Sequence, residues 1–335
     1  MKKLPSVMHA IIQKELGGEL SIIEMPIPTP EKGQVLVRME FSSINPSDLS
    51  MLQGTYAEKP SFPIVPGIEG SGTVVAHGGG AIAMLRNGKR VSVTSTHGLN
   101  GCWAEYMVTS AMNVIPIDKE INFEEATSLI VNPLTAISFI DIAKKNNHKV
   151  IVNNAAGGAL GKMIQRLGLK NGIEVISIVR NQKQLESLKA YGANTVIDSS
   201  WANYKEKLRE ACHKLDAKLY FDAIGGDSTA DFVEVSPAGS HILLYANLSE
   251  QEVHFDARTL LQNNKEIKGF YLGSYTSEQN LIKTLGFIKQ AQKLLKTELK
   301  TDIKAIYEMD EINKAIEAYR GNMSGGKILL KCLIV

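Results

Sequence analysis

Cysteine is scarce. The chain of 335 residues has only three, Cys102, Cys212 and Cys332, far apart. No CxxC pair occurs, so neither a disulfide framework nor a thiolate zinc centre is expected, and reduced thiols point to the cytoplasm. Charge of one sign is scarce too. Lys and Arg total 37 against 35 Asp and Glu, and the resulting +2 is too weak a field to expect nucleic acid or an anionic membrane as partner. No apolar run approaches the roughly 20 residues that span a bilayer. The two lysines of MKKLPSVMHA are followed by no apolar stretch, so no secretory signal is expected. Internal repeats and low-complexity tracts are missing as well. What remains, with 44% hydrophobic and 21% charged residues, is an ordinary globular composition at a length that accommodates two domains.

The first ~115 residues read as short strands and turns. Val35 to Phe41 alternates apolar and polar residues, and Pro26, Pro28, Pro30 and Gly33 punctuate the approach to it. Further strands are expected at Gly72–Ala76, Arg90–Thr94 and Ala104–Val108. Helical spacing begins at Glu124 and runs to Ala143, interrupted by Pro133. From Val150 strands and helices alternate. Strands are expected at Val150–Asn154, Glu174–Arg180, Thr195–Ile197, Leu219–Ala223, His241–Ala246 and Ile267–Leu272, with helices at Gln182–Tyr191, Ala202–His213 and Thr229–Val235 between them. That alternation predicts a parallel sheet covered on both faces. An amphipathic helix at Gln279–Lys296, a shorter one at Glu311–Tyr319 and an apolar strand from Lys327 follow, and this tail breaks the alternation.

Between the first strand and helix of the alternating region stands Ala155-Ala156-Gly157-Gly158-Ala159-Leu160-Gly161. Glycines there let the backbone approach a pyrophosphate, and the helix N-terminus offers unpaired N–H groups and a positive dipole end. The pattern is AxxGxxG rather than GxGxxG, so its placement at a strand–helix junction carries the reading. The second strand of such a unit usually ends in a carboxylate for the ribose 2′-hydroxyl of NAD. Here it ends in Arg180, whose guanidinium suits a 2′-phosphate, which favours NADPH. A solvated surface arginine is the alternative. Asn181 and Gln182 add hydrogen-bonding groups beside it, and Lys183 is either another or an exposed helix-start lysine.

Four stretches ahead of this unit, INPSDLSMLQGTY at 44–56, PIVPGIEGSG at 63–72, GCWAEYM at 101–107 and VNPLTA at 131–136, together resemble the zinc-independent medium-chain dehydrogenase/reductases. The similarity is to the NADPH:quinone oxidoreductases and the mitochondrial-type trans-2-enoyl thioester reductases, and it reaches GGKILLK at 325–331. It implies a GroES-like β-rich catalytic domain built from both chain ends (1–120 and 273–335), a Rossmann NADPH-binding domain at 121–272, and an active site in the cleft between them. Homodimers paired through the last strand of the nucleotide sheet are usual in the family.

Where zinc alcohol dehydrogenases carry cysteine and GHE, this chain has Asn45 and Gly67-Ile68-Glu69, and the four-cysteine lobe is missing, so no metal is expected. Hydride transfer without a Lewis acid suits an activated C=C or a quinone. Tyr56 matches the proton-donating tyrosine of the enoyl reductases, with loop packing as the alternative. Asn45, beside Pro46, orients nicotinamide ribose or substrate, or simply forms the turn. Asn132 and Thr135 resemble cofactor contacts at the domain junction, in competition with capping before Pro133. Trp103 is a candidate wall of the substrate cleft or a core residue, and Asp48 and Glu69 read as structural. The resemblance adds Tyr245, Ala246, Asn247 and Leu248, then Phe270, Tyr271 and Leu272, near the nicotinamide half, and Lys327 as a cofactor contact. A glutamine common in the family helix corresponds to Arg166, next to Gln165, and Gly168 and Gly172 are expected to weaken that helix. The expected activity is NADPH-dependent reduction of an enone or enoyl thioester, or alternatively of a quinone. A non-enzymatic NADPH-binding role is the reading from another class.

Overall fold

The computed structural model describes residues 4–55, 61–96 and 100–333. The chain forms two compact units, one of residues 1–131 with 301–335 and one of 132–300. The boundaries expected at 120 and 272 therefore fall later. The second moves furthest because the 279–296 segment packs within the inserted unit.

The first unit begins with an antiparallel pair, β1 (Val7–Gln13) and β2 (Leu20–Pro26). The long strand β3 (Gln34–Ser43) follows, then helix α1 (Pro46–Leu52) and β4 (Glu69–His77). Next come α2 (Ala81–Arg86), β5 (Arg90–Thr94), β6 (Tyr106–Ser110), β7 (Val114–Pro116) and the short α3 (Phe123–Ala126). Val35, Val37 and Met39 of β3 are all fully buried and pack with Val91, Val93 and Trp103. β3 is the organising strand, pairing with β4 on one side and with β6 on the other.

The second unit opens one residue into α4 (Val131–Lys145). Pro133 does not interrupt it. It lies in the first turn, where N–H groups have no intrahelical partner and proline costs nothing. The alternation is β8 (Val150–Asn153), α5 (Ala159–Lys170), β9 (Glu174–Val179), α6 (Gln182–Ala190), β10 (Thr195–Asp198), α7 (Tyr204–Lys214), β11 (Leu219–Asp222), α8 (Gly226–Val235) and β12 (His241–Leu244). Then come α9 (Ala257–Asn263), β13 (Glu266–Gly269), α10 (Leu272–Ser277) and α11 (Leu281–Leu294). The strand expected to reach Leu272 stops at Gly269, and Leu272 begins a helix. All six strands are parallel, in the order β10-β9-β8-β11-β12-β13. This is the doubly wound dinucleotide order, reversing between β8 and β11, where ligands bind in such sheets. Phe139 of α4 stacks on Phe221 of β11 at 3.9 Å between ring centroids and fixes the helix to the sheet.

The tail returns to the first unit as β14 (Ile303–Glu308), α12 (Ile312–Gly321) and β15 (Lys327–Lys331). Ile312, Ala315, Ile316 and Tyr319 give α12 one buried face. β14 and β15 run parallel with α12 as their crossover, and β15 pairs antiparallel with Ser43, Ser42 and Phe41 of β3. That pairing brings Lys327 to the end of β3, where the polar cluster described next is built.

Candidate active site

In the first unit the end of β3, the start of α1 and the start of β4 converge on buried polar groups. Lys327 reaches in from β15 and its ammonium donates to Asn45 Oδ1. It also lies 3.4 Å from Glu69 Oε1, with side chains 5% and 0% exposed. Asn45 Nδ2 donates to Ser43 Oγ at 3.1 Å and to Glu69 Oε1 at 3.3 Å, while Ser43 Oγ itself donates to that oxygen at 3.1 Å. The other carboxylate oxygen of Glu69 accepts from the Val131 N–H at 3.0 Å. Asp48 accepts from Asn45 N at 2.7 Å and from Ile68 N at 2.8 Å, tying the start of α1 to the turn before β4. Burial pushes the Asp48 carboxyl up to about 7, against the two backbone N–H groups and the Lys327 charge, which pull it down.

This geometry changes the reading of three residues. Asn45, 3% exposed, has its amide engaged on both atoms, so as placed it is an internal link at the head of α1. Lys327 turns its ammonium onto that link. Trp103 does not wall a cleft. It is fully buried, its indole N–H donates to Ser43 O at 3.3 Å, and a Cβ on Gly67 would fall 2.5 Å from its ring. Tyr56 lies outside the described residues.

In the second unit β8 ends in Asn153, and the chain turns through Asn154 to Gly158, which caps α5. The first amides of α5, at Ala159, Leu160 and Gly161, have no intrahelical acceptor and face the N-terminal end. Gly161 permits the closest approach here. A Cβ at that position would sit 2.5 Å from Ala156 Cα and 2.6 Å from its carbonyl oxygen. α5 runs past Gly168 to Lys170, and Gly172 lies just after its end with a φ of +66°. Gln165 is buried and accepts from Ser177 Oγ at 2.8 Å, whereas Arg166 turns out to bond Lys300 O at 2.7 Å.

Two residues that the sequence reading passed over join the strand ends at the reversal point. Asn154 Oδ1 accepts from Ala223 N at 2.7 Å, and its amide donates to Asp222 Oδ1 and to Ser228 Oγ. Asp222, fully buried, also accepts from Ile224 N at 2.8 Å and Thr229 Oγ1 at 2.6 Å. The second asparagine of VNNAAGG and the aspartate of FDAIGG were the available signals. The loop after β12 folds onto the same end: Tyr245 N bonds Asp222 O at 2.9 Å and Leu248 N bonds Ala223 O at 3.0 Å. Asn247 Oδ1 occupies the space a Cβ on Gly225 would need, at 2.2 Å, and Ala246 is half-buried. Burial, and after it the Asp222 charge, holds the Tyr245 phenol well above its usual pKa.

Arg180 is exposed at the end of β9, and its guanidinium has no ion pair among the described residues. Asn181 caps α6 by accepting from Gln184 N at 3.0 Å, and Gln182 donates to Glu186 at 2.9 Å. Asn132 and Thr135 occupy the first turns of α4, Thr135 buried and Asn132 half-buried. Phe270 packs edge-on to Phe139 at 4.8 Å, while Tyr271 is 62% exposed. Both line a cavity of about 640 Å³ with His241, Lys268 and Tyr275 along β12 and β13, so the volume lies apart from the glycine turn. The phosphate-binding reading rests on the turn, where the chain enters α5 through Gly158.

Two family models match: "Alcohol dehydrogenase GroES-like domain" over residues 31–119 and "Zinc-binding dehydrogenase" over 159–288. A mitochondrial enoyl-[acyl-carrier-protein] reductase of Caenorhabditis elegans is 30% identical over 255 residues, 73% of this chain and 71% of that protein. Its Arabidopsis thaliana counterpart is 27% identical over 296 residues, 85% of this chain and 76% of that one. A solved candidate NADPH:quinone reductase from Mesorhizobium loti superposes with a TM-score of 0.89 at 28% identity, covering 98% of this chain and 99% of that one. The strand order, the glycine turn and these likenesses agree: the chain belongs to the medium-chain dehydrogenase/reductases, in the branch of the mitochondrial-type enoyl thioester reductases and the NADPH:quinone oxidoreductases.

Proposed function

We propose that this chain is a zinc-free, NADPH-dependent reductase of an α,β-unsaturated carbonyl or enoyl thioester. The observation that carries the cofactor is the glycine turn at the head of α5 with Arg180 at the end of the neighbouring strand, unpaired among the described residues. The observation that carries the substrate class is the 30% identity to an enoyl-[acyl-carrier-protein] reductase. A quinone is the second reading, favoured by the likeness to the Mesorhizobium loti protein.

NADPH, when bound, supplies the hydride that adds to the β-carbon. The amides of Ala159, Leu160 and Gly161 would hold its pyrophosphate and Arg180 its 2′-phosphate. Tyr56 would hydrogen-bond the substrate carbonyl or give its proton to the α-carbon, so that one hydride and one proton saturate the C=C bond.

The description of the matched family names zinc, and the residues here do not suit it. Ile68 has no ligating atom, and the Asn45 oxygen is taken by the Lys327 ammonium, whose charge would repel a metal ion. That donor set supports a zinc-free site. A homodimer is part of the proposal, supported by β13, which ends the sheet with an exposed edge.

Crotonyl-CoA, a 2-alkenal and a 1,4-quinone, each tested with NADPH and with added zinc or chelator, separate the readings. Thioester turnover indifferent to zinc and chelator is expected. Turnover of the quinone alone would replace the enoyl reading, and loss of activity with chelator would refute the zinc-free one.

A further inference from the structure

We infer that Gln184 is the positioning residue that sets cofactor selectivity, a step that rests on the NADPH reading of Arg180. Gln184 is the third residue of α6 and stands at the contact of two segments assigned to different parts of the cofactor. Its Oε1 accepts the backbone N–H of Arg180 at 3.2 Å, while its own N–H is held by Asn181 Oδ1 at 3.0 Å. The two bonds tie residues 180–184 together and fix the direction in which β9 releases the Arg180 side chain. The same side chain stands against Gly157 of the glycine turn. A Cβ on Gly157 would fall 2.7 Å from Gln184 Cδ, 2.9 Å from Cγ and 3.0 Å from Oε1. A side chain at 157 would therefore displace that of Gln184.

The chemical consequence is a link between the pyrophosphate-binding turn and the guanidinium that reads the 2′-phosphate. Without the Oε1 acceptor, the Arg180 N–H loses its partner and the strand end is free to reorient. A ligand lacking a 2′-phosphate makes no use of that orientation. Loss of the acceptor should weaken binding only of ligands that carry the group.

The test is equilibrium binding to the full chain, by calorimetry or quenching of protein fluorescence, with NADPH, NADH, 2′,5′-ADP and 5′-AMP as probes. Gln184→Met keeps the bulk on Gly157 and removes the acceptor. The expected result is a Kd for NADPH and 2′,5′-ADP raised about fivefold to tenfold, the scale of one neutral hydrogen bond, with NADH and 5′-AMP unchanged within about twofold. Gly157→Ala displaces Gln184 by steric contact and should shift the NADPH-to-NADH ratio in the same direction. Equal weakening of all four ligands would make Gln184 a mere support of the turn and overturn the inference, as would no change in any. Arg180→Ala separates the two levels. If it lowers the NADPH-to-NADH preference while Gln184→Met does not, only the inference fails. If Arg180→Ala leaves the preference intact, the NADPH reading of Arg180 fails and the role of Gln184 with it.

Discussion

Removal of the Lys327 ammonium should unsettle the first unit more than any surface change. Lys327→Met keeps the length and apolar stem of the side chain and deletes the charge that faces Asn45 Oδ1 and Glu69 Oε1. Glu69 would remain fully buried, with three neutral donors left: Ser43 Oγ, Asn45 Nδ2 and Val131 N. Breaking a buried pair by deleting one partner costs about 3–5 kcal/mol, and the surviving donors place this case near 3. Glu69→Gln should cost a similar amount by leaving the ammonium on one amide oxygen. The double variant should cost about 2–3 kcal/mol less than the sum, because no buried charge is left alone. Denaturant unfolding followed by Trp103, in a Trp201→Phe background, reads the first unit alone, since Trp103 is buried there and Trp201 lies in the second unit. A cost below about 1 kcal/mol for Lys327→Met, or strict additivity in the double variant, would refute the pairing as a source of stability.

Three further outcomes follow from the same contacts. Asp48 has its folded pKa raised from 3.8 to about 7, so the folded state holds a proton that the unfolded state releases between those values. Its contribution is complete below about pH 4, is lost as pH rises towards 7, and amounts at most to about 4 kcal/mol; Asp48→Asn should flatten that part of a stability-versus-pH profile. Gly161→Val should destabilise the second unit by about 1–3 kcal/mol, since the new side chain meets the Ala156 backbone, and NADPH titration should show binding weakened more than tenfold. Tyr56→Phe should lower turnover of crotonyl-CoA by about 10²–10⁴-fold while the Kd for NADPH stays within twofold; unchanged turnover would remove Tyr56 from the chemistry.

The six parallel strands were legible because each is a short apolar run bounded by turns, and because their alternation with helices repeats across the whole unit. The glycine turn was legible for a similar reason: its residues are contiguous. The polar cluster was not, since Lys327 and Asn45 stand 282 residues apart and meet only when β15 pairs with β3. Asn154 and Asp222 escaped notice likewise, 68 residues apart and joined only at the strand ends. Trp103 shows a different limit. A lone aromatic beside a motif reads equally as cleft wall or core, and only the indole bond to Ser43 and the shape of Gly67 decide for core. Short elements with little periodicity, such as α2, α9 and α10, gave no pattern to read.

The central claim is hydride delivery from NADPH to an activated C=C bond. It is tested most directly by turnover of crotonyl-CoA with NADPH deuterated at the transferring C4 position, with isotope analysis of the product. The account predicts butyryl-CoA carrying one deuterium at the β-carbon and one solvent-derived hydrogen at the α-carbon. Tight NADPH binding with no oxidation by crotonyl-CoA, a 2-alkenal or a 1,4-quinone would contradict it and leave a nucleotide-binding protein without this chemistry.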